Sequence, residues 1–276
     1  MLALLLGGFR LQAQEADREQ VSRIVVRSLM AGGGWANVLD TYLSPLEYTG
    51  GGARIVFESM QNTRWRQGRW KVQHQVQLQY AYTKNPSGSA DMHAGLLTYS
   101  YALLYKFPMA GRLQVLAGPM LDVNGGVVYN QRNSNNPAQA KAYGGLGASG
   151  MLAYRFHIGR YPLLLRYQAQ LPLLGVMFSP EYGASYYEMF SLGHGSGSVR
   201  FTSLHNHPSL RQLLTLDMPI GTGILRVGYL CDLQQAKVNG LKTHHYSHDF
   251  LLGFVRHLYL LKGKRHFNLD AKDHPF

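Results

Sequence analysis

A short segment near residue 205 carries side chains whose types could support hydrolysis. Ser203 stands two residues before His205, and Glu188 lies 15 residues upstream of Ser203. A histidine can take the proton of a serine hydroxyl, and a further polar side chain can orient that histidine. The segment therefore predicts, as one alternative, a lipid-active hydrolase that uses residues 185–207. The competing interpretation is a loop that ends at Pro208 and leaves its histidines in water.

Two more combinations of polar residues have both a functional and a purely structural interpretation. His205 and His207 share a face if the chain is extended there, which makes them weak candidates for binding a metal ion. His194 and Ser196 could act with Asn206, but the topology predicted below places that pair and Asn206 at opposite ends of the molecule. We therefore assign no catalytic residue, no metal and no cofactor from the sequence.

The elements that must position these side chains have a period of two residues. From Arg69 to Tyr82 nearly every second residue is apolar or aromatic, and the residues between them are amides, cations or alanine. Only a β-strand places alternate residues on opposite faces. Trp70 and Tyr80 lie ten residues apart on one face, which is roughly 25 Å along a membrane normal for a tilted strand. That distance is typical of the apolar band of an outer-membrane barrel, although a long strand of a soluble β-sandwich also fits.

The same alternation recurs along the chain, and its polar face carries charged side chains. Charges inside a barrel must be paired or hydrated. Two interpretations stay open, a plugged and salt-bridged interior or a narrow selective pore. We predict that the following residues form a polar network in the lumen: Arg69, Lys71, Asp122, Arg155, Arg166, Arg211, Asp217, Arg226 and Asp232.

Short and longer connections alternate between the predicted strands. The short ones are 61–68, 107–112, 157–161, 193–197 and 219–223, and the longer ones are 83–91, 129–141, 177–183, 204–209 and 236–243. Outer-membrane barrels combine short periplasmic turns with longer external loops. With a further strand at 35–44 and an external loop PLEYTGG after it, we predict an all-β, antiparallel, up-and-down transmembrane barrel of about 12 strands. Ten strands result if the weak strands near 185–203 form one irregular excursion.

Composition agrees with an exported barrel. The chain has 276 residues, 18 tyrosines and a charged fraction of 15%, against about 25% in a typical soluble domain. Its net charge of +12 suits anionic headgroups. Cations and aromatic residues do not interleave as in a nucleic-acid site, so we expect no nucleic-acid partner. The single cysteine, Cys231, excludes an intramolecular disulfide framework.

The sequence divides into four regions. Residues 1–14 predict a secretory signal, which lacks a basic first region and so looks truncated at its start. Residues 15–34 predict a periplasmic lead-in, residues 35–258 the barrel, and residues 259–276 a polar tail. No apolar run reaches the roughly 18–20 residues that a membrane helix needs.

Four segments resemble the recurring motifs of a Bacteroidota family of outer-membrane β-barrels whose function is unknown. They are LDTYLSPLEYTG (39–50), YNQRNSNNPA (129–138), FSPEYGASYYEMFSLG (178–193) and FTSLHNHPSL (201–210). The resemblance covers about residues 35–258 and implies the fold and an outer-membrane location, but no chemistry. That family usually has Asn where this chain has His194, which argues against a catalytic role for His194.

We therefore expect a non-enzymatic outer-membrane barrel that acts as a narrow pore or as a structural or surface-binding component. Its expected partners are outer-membrane lipid, lipopolysaccharide and the barrel-insertion machinery, and its oligomeric state stays open. The alternatives are the lipid-active hydrolase and a soluble, exported β-sandwich.

Overall fold

The computed structural model describes residues 23–260, except positions 67, 110, 135, 184, 193, 194, 196 and 222. The predicted signal at 1–14 and nearly all of the predicted tail lie outside the described residues. Among the described residues, no helix is both long and apolar enough to cross a membrane. The elements are β1 (Arg23–Asp40), β2 (Ser44–Asn62), β3 (Trp70–Lys84), β4 (Asp91–Lys106), β5 (Leu113–Asn130), β6 (Ala138–Ile158), β7 (Tyr161–Phe178), α1 (Tyr186–Phe190), β8 (Val199–Ser203), β9 (Leu210–Ile220), β10 (Gly223–Val238) and β11 (Leu241–Leu260).

The antiparallel sheet closes on itself through its first and last strands. β1 and β11 stay in register from Arg23↔Leu260 to Asp40↔Thr243, and β7 joins β6 to β9 on the opposite side. Ten strands form the closed barrel, while the short β8 pairs with residues 174–178 of β7 above the segment that pairs with β9. The expected count of 12 strands is therefore wrong and the ten-strand alternative fits. A soluble β-sandwich is also wrong, because one closed sheet replaces two packed sheets.

The connections define two ends of the barrel. The turn end holds connections 63–69, 107–112, 159–160 and 221–222, and the loop end holds 41–43, 85–90, 131–137, 179–198 and 239–240. Four of the five predicted short turns are confirmed in this way. The short turn predicted at 193–197 is not seen, since Gly195 and Gly197 lie in the long 179–198 connection at the loop end. Asn206 lies toward the same end. His194 and Ser196 lie outside the described residues, so their expected separation from Asn206 stays a prediction.

Three predicted boundaries also differ from the structure. Residues 23–34, assigned to the lead-in, are part of β1, and residues 45–51, assigned to a loop, are part of β2. Glycines at 32–34 and 50–52 carry no side chains, so the two-residue period cannot be seen there. The loop predicted at 236–243 is a two-residue hairpin, because Asn239 and Gly240 take φ values of 52° and 74° as a type I′ turn requires.

The two faces of the wall differ as the alternation in the sequence predicts. Along β3 the amide row Gln73–Gln79 is buried, whereas Leu78, Tyr80 and Tyr82 are exposed on the outside. Aromatic rings contact one another on the outer face at both ends. Trp70 and Tyr105 pack with ring centroids 5.2 Å apart near the turn end, and Tyr82 lies 5.2 Å from the ring of His93 toward the loop end.

The interior is layered along the barrel axis. An apolar cluster that includes Met60, Leu104 and Met151 fills the turn end. A second apolar cluster that includes Tyr48 and Met92 lies toward the loop end. The layer between them contains the charged residues that the next subsection describes. On one side it also holds a third apolar cluster, formed by Met30, Val56, Leu213, Leu230 and Leu251.

Gly34 lies where β1 approaches β11 closely enough to exclude a side chain. A Cβ atom there would overlap the carbonyl oxygen of His248, whereas a Cβ at Gly95 of β4 would have no atom within 4 Å. We predict that Gly34→Ala lowers the folded fraction because the closing strand pair must separate, and that Gly95→Ala does not. Gel mobility before and after heating measures the folded fraction, and equal folded fractions for the two variants would contradict this account of barrel closure.

Candidate functional site

A layer of paired charges crosses the middle of the barrel. We call it the ion-pair layer, and its charged members are Arg54, Arg166, Arg211 and Arg226 with Glu58, Asp122, Asp217, Asp232 and Asp249. They belong to β2, β5, β7, β9, β10 and β11. Arg54, Arg166 and Arg226 are only 2%, 1% and 0% exposed. Burying such charges is costly unless each is paired and hydrogen-bonded, so the geometry of the pairs decides whether the layer is stable.

Glu58 is the most connected carboxylate of the layer. Arg166 donates to it through both terminal nitrogens, at 2.9 and 2.6 Å. Arg226 donates to the same carboxylate at 2.8 Å and binds Asp217 through two further nitrogens, at 2.5 and 2.7 Å. Gln73 adds a hydrogen bond of 2.6 Å. Bidentate pairs of this kind are the strong form of the arginine–carboxylate interaction.

Arg54 organises the half of the layer that faces the loop end. Its guanidinium donates to Asp249 at 2.8 Å, to Asp232 at 3.1 Å and to Gln77 at 2.6 Å. Arg211 continues the chain of charges from Asp232 to Asp122, with nitrogen–oxygen distances of 3.5 and 3.4 Å. Each buried cation of the layer therefore has a carboxylate partner.

Uncharged side chains complete the layer across the barrel. Gln73 of β3 and Gln168 of β7 exchange hydrogen bonds of 2.9 and 2.7 Å although their strands are not neighbours. Gln168 also donates to Ser149 of β6, and Ser100 of β4 donates to Asp122. Side chains from opposite walls thus meet at the centre, and the interior is filled at this level.

The structure separates the predicted lumen residues into three groups. Six of them belong to the ion-pair layer: Asp122, Arg166, Arg211, Asp217, Arg226 and Asp232. Lys71 is buried nearer the turn end, where it donates to Asn62 at 2.6 Å. Arg155 is half-buried at that end. Arg69 is exposed in the 63–69 turn, one residue before β3 begins.

Arg54 and Glu58 are central to the layer and were not among the predicted residues. The signal was present in GGARIVFES, where Arg54, Val56 and Glu58 alternate with Ile55 and Phe57. The three glycines before Ala53 have no side chains, so the alternation of polar and apolar residues in that strand can be recognised over only a few positions. Asp249 alternates with Phe250 in the same way, near the other end of the chain.

A partly open cavity lies between the ion-pair layer and the loop end. Its volume is about 90 Å³, and a water molecule occupies roughly 30 Å³ of liquid. Polar side chains that include Lys141, His207 and His245 line one part, and apolar side chains that include Leu96 and Phe178 line another. Lys141 forms an ion pair of 2.6 Å with Asp40 at the wall of this cavity.

The predicted nucleophile and base do lie close together. Ser203 Oγ and His205 Nδ1 are 2.5 Å apart on the outer face of the wall. Asn206 does not orient the histidine, because its side chain bonds the backbone of Ser203 and of Phe201. Glu188 closes the N-terminal capping box of α1 with Ser185. The close pair is therefore a local contact within a turn, between residues two positions apart.

The two histidines predicted to share a face have different surroundings. His205 is exposed, whereas His207 is buried with its ring 4.6 Å from that of Tyr143. Burial lowers the pKa of His207 to about 4, so its imidazole is neutral at pH 7. Within the part of the chain that the structure describes, no three His, Cys, Asp or Glu side chains are grouped so as to hold a metal ion.

Replacing Glu58 tests how much the ion-pair layer stabilises the barrel. Glu58→Gln leaves Arg166 and Arg226 facing each other without their shared carboxylate, and we expect a loss of about 3–5 kcal/mol in unfolding free energy. Glu181→Gln is the matched control, because its pair with Arg200 is exposed and 3.6 Å long, and should cost less than about 1 kcal/mol. Urea unfolding in lipid vesicles measures the unfolding free energy of both variants. Equal losses would show that the layer stabilises the barrel no more than an exposed ion pair does.

Comparison with solved structures returns other barrels at low similarity. The transport unit of the autotransporter AIDA-I from Escherichia coli is 10% identical, with a TM-score of 0.43 over 85% of this chain and 89% of that one. The β domain of the Bordetella autotransporter BrkA is 11% identical, with a TM-score of 0.41 over 84% and 98%. Neisserial surface protein A is 13% identical, with a TM-score of 0.32 over 84% and 95%. Likenesses of this size say nothing about activity.

Comparison with protein families gives a clearer result. No curated protein matches the chain. Residues 1–265 match a family described as "Protein of unknown function (DUF3316)". This match covers the whole barrel, including the strands that supply the ion-pair layer. The chain therefore belongs to the DUF3316 family.

Proposed function

We propose that this chain is an outer-membrane barrel that is closed to ions and acts as a structural or surface-binding component, not as an open pore. The ion-pair layer is the observation that carries this proposal, because it fills the interior from wall to wall. The surface available for binding is then the loop end and the outer face of the wall. The motifs at 39–50 and 129–138 further support a Bacteroidota origin.

The outer face of the wall supports the placement in a membrane. Its middle is apolar on strand after strand, as at Ile55, Leu78, Leu97, Leu121 and Leu252, all of which are exposed. Aromatic residues flank this band at both ends, as membrane barrels require. Exposed apolar surface on this scale is unfavourable in water and favourable in lipid.

Leu97→Arg distinguishes a lipid-facing wall from a wall in water. An arginine at the middle of a lipid-facing strand costs about 2–4 kcal/mol in vesicles, whereas an exposed leucine in water tolerates this change. Leu204→Arg, near the loop end, is the matched control and should cost far less. Urea unfolding of both variants in vesicles gives the difference, and two neutral substitutions would contradict the membrane placement.

Planar-bilayer recordings test whether the layer closes the barrel. We expect no discrete conductance from the wild type. We expect small conductance steps from the double variant Glu58→Ala with Arg166→Ala, which removes one charge of each sign and opens space while Arg226 keeps Asp217. The exposed pair Glu181→Ala with Arg200→Ala is the control and should stay silent. Conductance from the wild type would show that the interior is a pore.

The lipid-active hydrolase has one observation in its favour, the short contact between Ser203 and His205. Ser203 and His205 lie two positions apart in one turn. Asn206 bonds the backbone of Ser203 and Phe201, and Glu188 caps α1 with Ser185, so the bonds seen among these predicted residues are not those of a catalytic triad. Phospholipid hydrolysis that disappears in Ser203→Ala would establish this second candidate. The geometry supports the closed, non-enzymatic barrel better.

A further inference from the structure

The regular strand pairing of the barrel wall is interrupted beside this cavity. β9 and β10 stay in register only up to Leu210↔Leu233, and β8 pairs on its other side with β7. Above Leu233, the 204–209 segment meets β10 through one backbone hydrogen bond, from Lys237 N–H to Asn206 O at 2.8 Å. Side chains make the remaining contacts, such as Ser209 Oγ with the backbone N–H of Gln235 at 3.1 Å. We call this part of the wall the seam.

Different contacts cover the other sides of the cavity. The ion-pair layer blocks the side toward the turn end. Toward the loop end, Tyr42 and Tyr186 pack edge to face at 6.1 Å, and the hydroxyl of Tyr186 accepts a hydrogen bond of 2.7 Å from the backbone of Ala140. Asn239 ties the 179–198 connection to the β10–β11 turn through bonds to the carbonyls of Ser179 and Gly197, at 2.6 and 2.9 Å. The seam differs from these sides because β10 meets the 204–209 segment there through one backbone hydrogen bond and side-chain bonds, without a regular strand ladder.

The cavity offers unused hydrogen-bond donors. The amide nitrogen of Gln79 lies 2.8 Å from His245 Nε2, and since an amide nitrogen only donates, Nε2 accepts and Nδ1 carries a hydrogen. That Nδ1 is buried and has no partner among the described residues. Lys141 has three ammonium hydrogens, of which Asp40 and Gln139 take two. A small acceptor group in the cavity would satisfy His245 and meet the cation of Lys141.

The outer side of the seam is basic next to an apolar strip. Lys237 and Lys242 line one depression there, together with Gln235, Ala236 and His244. Arg200 and Lys237 line an adjoining one. Gln235, Ala236 and His244 line the cavity too, so a single layer of residues separates it from this depression. Exposed apolar side chains follow on the neighbouring wall, namely Leu174, Val176, Val199 and Phe201.

We propose that the cavity binds the carboxylate head of a single-chain lipid, which enters sideways through the seam. The cations at the seam attract the anionic head, and His245 and Lys141 bind it inside. A carboxylate has three non-hydrogen atoms and suits the small volume, while the alkyl chain stays outside along Val176 and Phe201. The inference rests on the proposed placement of the wall in lipid, because that is where such a chain would lie.

A reversible cross-link across the seam tests the route. In a Cys231→Ser background, Asn206→Cys with Lys237→Cys joins the two sides when oxidised and frees them when reduced. The probe is radiolabelled dodecanoate, added to folded barrel in a non-ionic detergent. We expect binding to be at least 10-fold slower in the oxidised form and restored by reduction.

The control cross-link joins β9 and β10 away from the seam, through the in-register pair Leu216→Cys with Val227→Cys. This variant should bind dodecanoate equally fast in its oxidised and reduced forms. Equal rates of dodecanoate binding in the oxidised and reduced forms of the Asn206→Cys, Lys237→Cys variant would overturn the lateral route.

Substitutions inside the cavity test the site itself. Lys141→Met and His245→Leu should each weaken dodecanoate binding at least 10-fold, while Lys106→Met, in the barrel interior toward the turn end, should not. Equal binding by all three variants, or no binding by the wild type, would overturn the site. Because binding is measured in detergent, such a failure leaves the vesicle result for Leu97→Arg and the conductance result untouched.

Discussion

The hydrogen-bonded sharing of Glu58 by two arginines is the interaction on which the interior depends. Arg166 and Arg226 come from β7 and β10, and Glu58 comes from β2, so this carboxylate joins walls that do not touch through their backbones. Neither guanidinium could remain buried without an anion, and the anion could not remain buried without them. The positions of Gln73 and Asp217 follow from this triad, since each bonds one of its members, and Gln168 in turn bonds Gln73.

The regular parts of the fold could be predicted from sequence because the wall obeys one simple rule. A strand with an apolar outer face and a polar inner face must alternate, so the residue pattern of β3 and β7 indicates both their conformation and which side chains point inward. The rule fails at glycines, which have no side chain to alternate, and in segments that are not part of the barrel wall. Glycines at 32–34 and 50–52 hide parts of β1 and β2, and the 179–198 connection mixes a helix with turns where a hairpin was expected.

The candidate site was less predictable than the wall, for a different reason. Alternation identifies which charged residues face inward, as it did for Arg166, Arg226 and Asp232, but it does not show which of them meet. Pairing across a barrel depends on strand stagger, which no local pattern encodes. The cavity and the seam depend on the same information. Their residues come from six or more connections and strands, and nothing in the spacing of His245 or Lys141 relates them.

The closure of β1 on β11 has a consequence for the order in which the molecule can form. The bond from Arg54 to Asp249 joins residues 195 positions apart, and the strand that carries Asp249 is the last of the described strands along the chain. Contacts this distant in sequence slow folding, because a long loop must be ordered before they form. Until β11 arrives, Arg54 lacks one of its two carboxylates and the barrel has two open edges. Arrival of the final strand therefore completes the hydrogen-bonded wall and the charge balance of the interior in one step, so a barrel halted before that step retains unpaired edges and an arginine short of a partner.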